Sequence, residues 1–226
     1  MLNDFISLFY PQICMACGKS LYKNEYCICT YCIYHLPKTD HLQVEENPFV
    51  KLFWGRINIH SAAAYYNFTK GGKIQHLIHQ LKYHGQKEIG LTLGKLYGKS
   101  LQNAPLFNSV DTIIPIPLHK KKLQKRGYNQ SEFFAQGIST VLQVSMDAKN
   151  VYRSLESDTQ TKKSRFNRWK NVESIFSVKE PSKLQGKHIL LVDDVVTTGS
   201  TLEACAQVLL QIPKTKVSIV TIAYAS

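Results

Sequence analysis

Two adjacent carboxylates followed by a hydroxyl-rich loop form the segment of this sequence that is best suited to chemistry. Residues 189–201 read ILLVDDVVTTGST, and the apolar run 189–192 predicts a short strand buried on both faces of a parallel sheet. Asp193 and Asp194 would then lie at the carboxyl end of this strand, where open α/β sheets bind ligands. Carboxylates accept hydrogen bonds from hydroxyls and repel phosphate, so the acid pair suits the hydroxyls of a sugar.

The loop that follows predicts a phosphate site. Residues 202–211 carry apolar side chains at helical spacing, which indicates a helix beginning directly after the loop. The start of a helix offers unpaired backbone N–H groups and the positive end of its dipole, and a glycine allows close approach of a ligand. The residues expected to wrap the phosphate are Thr197, Thr198, Gly199, Ser200 and Thr201.

Two Cys-x-x-Cys pairs near the N-terminus have the spacing of metal ligands. Cys14 and Cys17 form the first pair, and Cys29 and Cys32 form the second. Two such pairs in a short span indicate a compact module in which four thiolates hold one structural Zn²⁺ tetrahedrally. Cys27 is an alternative to Cys29, and Cys29 is preferred because it preserves the two-residue spacing of the second pair.

Length and composition set the class of protein. A chain of 226 residues, of which 44% are hydrophobic, suits one α/β domain with a small appendage. Membrane spans need about 18 consecutive apolar residues, and no run in this sequence is that long. The first five residues, MLNDF, include an acid where a signal peptide needs basic residues. We therefore expect a cytoplasmic protein without membrane insertion.

The net charge of +12 indicates a polyanionic ligand, for which phosphorylated substrates and nucleic acid both qualify. Basic residues cluster in the ranges 120–126 and 153–170. The alternative is that these lysines and arginines form a solvated surface, as most basic residues do.

The order of elements predicts a parallel sheet flanked by helices. Polar residues 38–47 predict a linker, which divides the chain into a four-cysteine module (1–45) and a main domain (46–226). Helical patterns alternate with strand patterns along the chain, as in α/β folds. Ser131 is a candidate cap for one of these helices. The predicted strands are 61–68, 110–116, 175–178, 188–192 and 217–224.

Four blocks of sequence, in order, resemble the ComF family, the competence-associated phosphoribosyltransferase-like proteins. They are the two Cys-x-x-Cys pairs, LKYHG at 81–85, IPIPLHKKKLQKRGYNQSE at 114–132, and Gln160, Arg168, Asn171 and Phe176. The segment 189–201 that follows resembles the phosphoribosyl pyrophosphate (PRPP) motif of type I phosphoribosyltransferases. The resemblance implies a type I phosphoribosyltransferase fold with an N-terminal zinc ribbon.

The resemblance also implies roles for individual residues. Asp193 and Asp194 would hold the ribose hydroxyls, and the loop after them would wrap the 5′-phosphate. The pyrophosphate loop would comprise Pro117, Leu118, His119 and Arg126. Contacts from a flexible lid would come from Arg153, Gln160 and Arg168. Lys82 has two open interpretations, a ligand contact or a cation at a helix end.

Two functions of different classes follow from the resemblance. The first is Mg²⁺-dependent transfer of phosphoribosyl from PRPP to a nitrogen acceptor with release of pyrophosphate; no general base is assigned. Residues 53–59 or the zinc module would have to recognise the acceptor. The second is a single-stranded DNA-handling protein with PRPP or a nucleotide as effector and other competence proteins as partners. Tyr22, Tyr26 and Tyr31 would stack on bases in that case.

Overall fold

A four-stranded parallel sheet lies at the centre of the molecule. The structure is a computed structural model and describes residues 11–153 and 175–225. The strand order is β1-β6-β5-β2, and each neighbouring pair is parallel. The strands of this sheet are β1 (Ser61–Asn67), β2 (Thr112–Pro115), β5 (His188–Val196) and β6 (Lys216–Tyr224). The parallel sheet predicted from the sequence is confirmed.

Helices cover both faces of the sheet. They are α1 (Thr30–His35), α2 (Pro48–Lys51), α3 (Lys73–Tyr83), α4 (Lys87–Leu101), α5 (Lys120–Arg126), α6 (Gln130–Leu142) and α7 (Ser200–Leu210). Leu190 and Val192 of β5 face α3, α4 and α6, whereas Ile189 and Leu191 face α7. This double coverage explains the continuous apolar run in β5. Along residues 11–153 and 175–225, no helix has the length and apolar character needed to cross a membrane.

Strand β5 pairs with its neighbour β6 over a longer stretch than with its neighbour β2. Its pairing with β2 ends at Pro115 opposite Val192, but its pairing with β6 continues to Val196. The predicted end at Val192 was therefore four residues short, because the pairing with β6 extends the strand. The acid pair lies inside β5 but beyond the end of β2, where one side of the strand is open.

A second, two-stranded sheet was not predicted. Strand β4 (Phe176–Val178) pairs antiparallel with β3 (Val151–Arg153). The segment 175–178 was thus correctly predicted as extended but wrongly assigned to the parallel sheet. Val151 and Phe176 are both buried in the core on the α7 side. Burial of these two side chains anchors the β3–β4 pair to the core on the α7 side.

The segment 38–47, predicted as a linker, is bound to the outer edge of β1. The Thr39 backbone N–H donates to Tyr65 O at 3.0 Å. Asn47 is fully buried, donates to Ala62 O at 2.8 Å, and caps α2 by accepting from Phe49 N at 2.9 Å. The segment therefore satisfies backbone groups at an edge that would otherwise be exposed.

The four-cysteine region packs against the main domain. Cys14, Ile28 and Cys32 are buried in the same cluster as apolar residues of α3 and α4. The hydrophobic contacts of this region are therefore continuous with the core on that face of the sheet.

Glycines allow α4 and α6 to approach each other closely. Gly90, Gly94 and Gly98 of α4 face α6, and a Cβ atom added to Gly94 would lie 2.9 Å from Gly137 Cα. It would also overlap the backbone oxygen of Phe134. This close packing of α4 against α6 fixes the axis of α6. The first turn of α6 reaches the acid pair through Ser131.

Replacement of Gly94 by alanine tests this contact. Alanine favours a helix by about 1 kcal/mol over glycine. If Gly94 faced solvent, its replacement by alanine would therefore stabilise the protein. We expect the opposite, a loss of about 1–3 kcal/mol in the free energy of unfolding, because overpacking moves backbone. Urea unfolding measures it, with Lys95→Ala on the exposed side of α4 as the control. A Gly94→Ala variant at least as stable as the wild type would contradict the close packing.

Candidate functional site

Three elements meet at the acid pair. The Asp194 backbone N–H and the Ser131 hydroxyl donate to Asp193 Oδ1, at 2.8 and 2.9 Å. Lys82 Nζ, in the last turn of α3, lies 2.8 Å from Asp194 Oδ1. Asp194 is 8% exposed. The structure thus places both acids at the open end of β5 and surrounds them with donors from α3 and α6.

The electrostatics of the pair are finely balanced. Burial and the neighbouring charge of Asp194 raise the pKa of Asp193 to about 7, although hydrogen bonds from Asp194 N and Ser131 and the charge of Lys82 act in the opposite direction. Asp193 therefore titrates close to neutral pH. Its ionised form depends on the donors and the cation that face it.

The loop after the acid pair leads directly into α7. Gly199 has a φ of +75°, a left-handed conformation that favours glycine. The hydroxyls of Thr198 and Ser200 lie 2.9 Å apart and are exposed. A Cβ atom on Gly199 would lie 3.2 Å from the ring of Phe53. The loop therefore rests on Phe53 and presents hydroxyls and the first N–H groups of an 11-residue helix to solvent.

Arg56 also contacts this loop and was not identified from the sequence. Its Nη1 donates to Thr198 O at 3.5 Å, and its guanidinium pairs with the carboxylate of Glu203 in the first turn of α7. Glu203 would otherwise oppose an anion at this helix start. Arg56 lies within the range 53–59, where the sequence predicted acceptor contacts, but no motif marked it.

The predicted pyrophosphate loop follows β2. Asn129 donates to Ile116 O at 2.9 Å and so ties the start of this loop to α6. His119 caps α5, because its Nδ1 accepts from Lys121 N at 3.2 Å. The loop lines a cavity of about 400 Å³ whose other residues include Lys149, Tyr152, Arg153 and Lys179. The basic wall of this cavity suits an anion.

Arg126, the expected leading pyrophosphate contact, is held against α3. Its guanidinium lies over the ring of Tyr83 at 5.1 Å and donates to Gln130 Oε1 at 2.8 Å. Of the expected lid residues, Arg153 ends β3, lines the cavity described above and stacks over Phe176 at 5.1 Å. The other expected lid residues, Gln160 and Arg168, lie outside the described residues.

Ser131 has a different role from the one predicted. The cap of α6 is Asn129, whose Oδ1 accepts from Ser131 N at 3.2 Å. Ser131 is the second residue of α6 and directs its hydroxyl to Asp193. The sequence signal was present, since Asn129 is also a preferred cap residue, but only the fold brings Ser131 to β5.

Four cysteines form a compact cluster. The sulfur atoms of Cys14, Cys17, Cys29 and Cys32 all lie within 4.8 Å of one another, and those of Cys17 and Cys29 are 3.8 Å apart. Zinc–sulfur bonds of about 2.3 Å in a tetrahedron require sulfur–sulfur distances of about 3.8 Å. Cys27 is not part of the cluster, and its thiol interacts with Thr92 of α4.

Backbone donors around the cluster favour a thiolate at Cys14, whereas burial raises the pKa of Cys29 and raises that of Cys32 to about 12. Backbone N–H groups of Cys29 and Ala16 donate to Cys14 Sγ at 3.2 and 3.4 Å, and Lys73 Nζ lies 3.6 Å from Cys32 Sγ. Burial alone would raise the pKa of Cys14, but these backbone donors lower it to about 7. Four sulfurs at these distances from one another fit a bound metal cation.

Comparisons with known proteins agree with this geometry. Residues 128–226 match the family model of the phosphoribosyl transferase domain. The DNA utilization protein YhgH of Shigella flexneri is 37% identical over 138 residues, which cover 60% of each chain. Competence protein F of Haemophilus influenzae is 31% identical over 137 residues, 59% of this chain and 60% of that one. Competence protein ComFC of Bacillus subtilis is 25% identical over 201 residues, 88% of this chain and 72% of that one.

The chain resembles the ComF proteins in sequence. It has the type I phosphoribosyltransferase fold and a four-cysteine cluster near its N-terminus. The chain spans 60% of the length of the YhgH relative. The activity and partners of the whole protein are therefore matters for proposal.

Removal of the Ser131 hydroxyl tests its hydrogen bond to Asp193. Ser131 donates to the ionised form of Asp193, so Ser131→Ala is expected to raise the pKa of Asp193 above about 7. Carboxyl ¹³C NMR titration measures the change. Ser139→Ala is the control, because Ser139 lies on the same helix and donates to Val144 O at 2.7 Å. An unchanged or lower pKa of Asp193 would show that the hydroxyl does not stabilise the carboxylate.

Proposed function

We propose that this chain binds PRPP with Mg²⁺ and transfers its phosphoribosyl group to a nitrogen acceptor, with release of pyrophosphate. The observation that carries the proposal is the position of Asp193 and Asp194, at the open end of β5 and directly before the hydroxyl loop of α7. Ribose hydroxyls and a 5′-phosphate are separated by one sugar ring, which matches these two neighbouring sets of groups.

Each group of PRPP has a counterpart in this arrangement. The described contacts of both acids end on their Oδ1 atoms, so the Oδ2 atoms can accept from ribose hydroxyls. The N–H groups and hydroxyls at Gly199 and Ser200 suit the 5′-phosphate. The basic cavity at 117–119 suits pyrophosphate, and Mg²⁺ bound to PRPP would lower the charge of that leaving group.

The chemistry requires positioning more than a reactive side chain. Displacement at C1′ of the ribose needs no covalent enzyme intermediate, so the chain contributes orientation and exclusion of water. Phe53 and Arg56 contact the 5′-phosphate loop and thereby place residues 53–59 beside the ligand edge of the sheet. This contact supports the interpretation of 53–59 as part of the acceptor site.

Asp193→Asn combined with Asp194→Asn is expected to remove most of the PRPP affinity and leave the fold intact. A hydrogen bond to a charged group contributes about 1.5–3 kcal/mol, so two such losses weaken binding by more than about a hundredfold. Calorimetric titration with PRPP and Mg²⁺ measures the affinity, and thermal melting reports on the fold.

Asp40→Asn, which alters an exposed acid in the segment beside β1, serves as the matched control. Wild-type protein should also prefer ribose 5-phosphate over 2-deoxyribose 5-phosphate, since the second sugar lacks a hydroxyl for the acid pair. Equal PRPP affinity in the wild type and the double variant would remove the acid pair from the proposed site.

We also propose that the cysteine cluster holds one structural Zn²⁺. The short distances among the four sulfurs, and the preference of Zn²⁺ for four cysteine ligands, support zinc. Serine at Cys14, Cys17, Cys29 or Cys32 should abolish stoichiometric zinc and lower the melting temperature, because metal binding is linked to folding. Cys27→Ser should retain one zinc per chain. Elemental analysis measures the zinc content of each variant. Loss of zinc in Cys27→Ser but not in Cys29→Ser would show that Cys27, rather than Cys29, is the ligand.

Single-stranded DNA is the second candidate ligand. Tyr22, Tyr26 and Tyr31 are 83%, 77% and 63% exposed, and Tyr22 and Tyr31 line a cavity of about 790 Å³ with Lys19 and Lys73. Exposed aromatic rings beside cations suit stacked bases. Two relatives are named for DNA utilization and competence. Nanomolar DNA binding at physiological salt, retained by the Asp193/Asp194 double variant, would place this function first.

A further inference from the structure

Lys82 joins α3 to the acid pair through a largely buried ion pair. Its Nζ lies 2.8 Å from Asp194 Oδ1, and the two side chains are only 20% and 12% exposed. An ion pair at this depth is screened by solvent much less than a surface pair. The contact joins residues far apart in sequence, so it exists only in the folded chain.

The end of α3 is firmly placed. Leu81 is fully buried, and its backbone oxygen accepts from the hydroxyl of Tyr128. Tyr83, on the other side of Lys82, supports the guanidinium of Arg126 at 5.1 Å. Lys82 therefore follows a residue anchored in the core, and its ion pair with Asp194 places its ammonium group beside β5.

The other groups that face the acids do not supply a positive charge. Ser131 of α6 donates a neutral hydroxyl to Asp193, and Thr221 of β6 lies opposite Asp193 in the strand register. Cys205 of α7 lies near Asp193, and burial raises the pKa of its thiol, so it stays neutral. Among the described residues, the cation that contacts the pair is Lys82.

We propose that Lys82 is a positioning residue for ribose recognition. It holds Oδ1 of Asp194 in an ion pair, places a positive charge beside the two acids, and leaves their Oδ2 atoms to accept from the ribose hydroxyls. It acts through the acids and makes no contact with the pyrophosphate of PRPP. This proposal rests on the proposed function, because it concerns the same ligand.

The test compares two ligands that share the ribose hydroxyls and the 5′-phosphate. The affinities of wild type and Lys82→Met are measured calorimetrically for PRPP with Mg²⁺ and for ribose 5-phosphate, which lacks pyrophosphate. We expect Lys82→Met to weaken binding of both ligands to the same extent, by about tenfold or more. Lys99→Met, which removes an exposed cation from α4, should leave both affinities unchanged.

The pH dependence provides a readout that a purely structural role would not change. The ionised acids bind the hydroxyls, so affinity should rise with pH through the pKa of Asp193, about 7 in the wild type. Loss of the Lys82 charge raises this pKa further, so the profile of Lys82→Met should move to higher pH. Lys82→Gln also removes the charge but keeps a donor for Asp194, and it is measured in parallel in case the methionine variant does not fold.

Three results would overturn the proposal. A loss of affinity confined to PRPP would show that Lys82 contacts pyrophosphate. Unchanged affinity for both ligands would show that the ion pair has no part in recognition, and an unmoved pH profile would show that Lys82 does not act through the charge of the acids. If the wild-type protein binds neither ligand, the proposed function itself fails, and that outcome is distinct because it appears before any variant is made.

Discussion

Two carboxylates lie on consecutive residues at the end of a buried strand. The rest of the site depends on this constraint. Asp193 and Asp194 repel each other, and burial strengthens that repulsion because the local dielectric constant is low. The fold offsets this cost with a backbone N–H, the hydroxyl of Ser131 and the ammonium group of Lys82. Each donor is at 2.8–2.9 Å and comes from a different element.

This arrangement in turn explains features far from the acids. β2 ends at Pro115, so the side of β5 that it covers is open at the acid pair, while β6 supports the other side. Glycines in α4 allow α6 to approach closely, and α6 carries Ser131. The same end of α6 holds the loop after β2 through Asn129. Packing within one layer of helices therefore positions both the donor to Asp193 and the loop after β2.

Local patterns predicted the parts of the structure that local forces determine. The apolar run before Asp193, the small-residue loop at Gly199 and the two Cys-x-x-Cys pairs all signal their conformation within a few residues. The pairing of β3 with β4, the role of Ser131 and the contact of Lys82 could not be read in this way. Ser131 and Lys82 meet the acids across 62 and 112 residues of sequence, and Arg56 reaches Thr198 across 142. Such contacts depend on how the layers pack, which no single segment encodes.

Helix α3 connects the two chemically distinctive regions of the molecule. It begins with Lys73, whose ammonium group lies 3.6 Å from Cys32 Sγ, and its last turn carries Lys82, 2.8 Å from Asp194 Oδ1. Lys73 faces a sulfur atom and Lys82 a carboxylate oxygen, and the buried residues between them belong to the core shared with the cysteine region. The contact with Cys32 holds the start of α3, as the ion pair with Asp194 holds its last turn. The cysteine cluster thus helps to set the position of the helix that delivers Lys82, which is a physical reason for this cluster to be joined to a phosphoribosyltransferase fold.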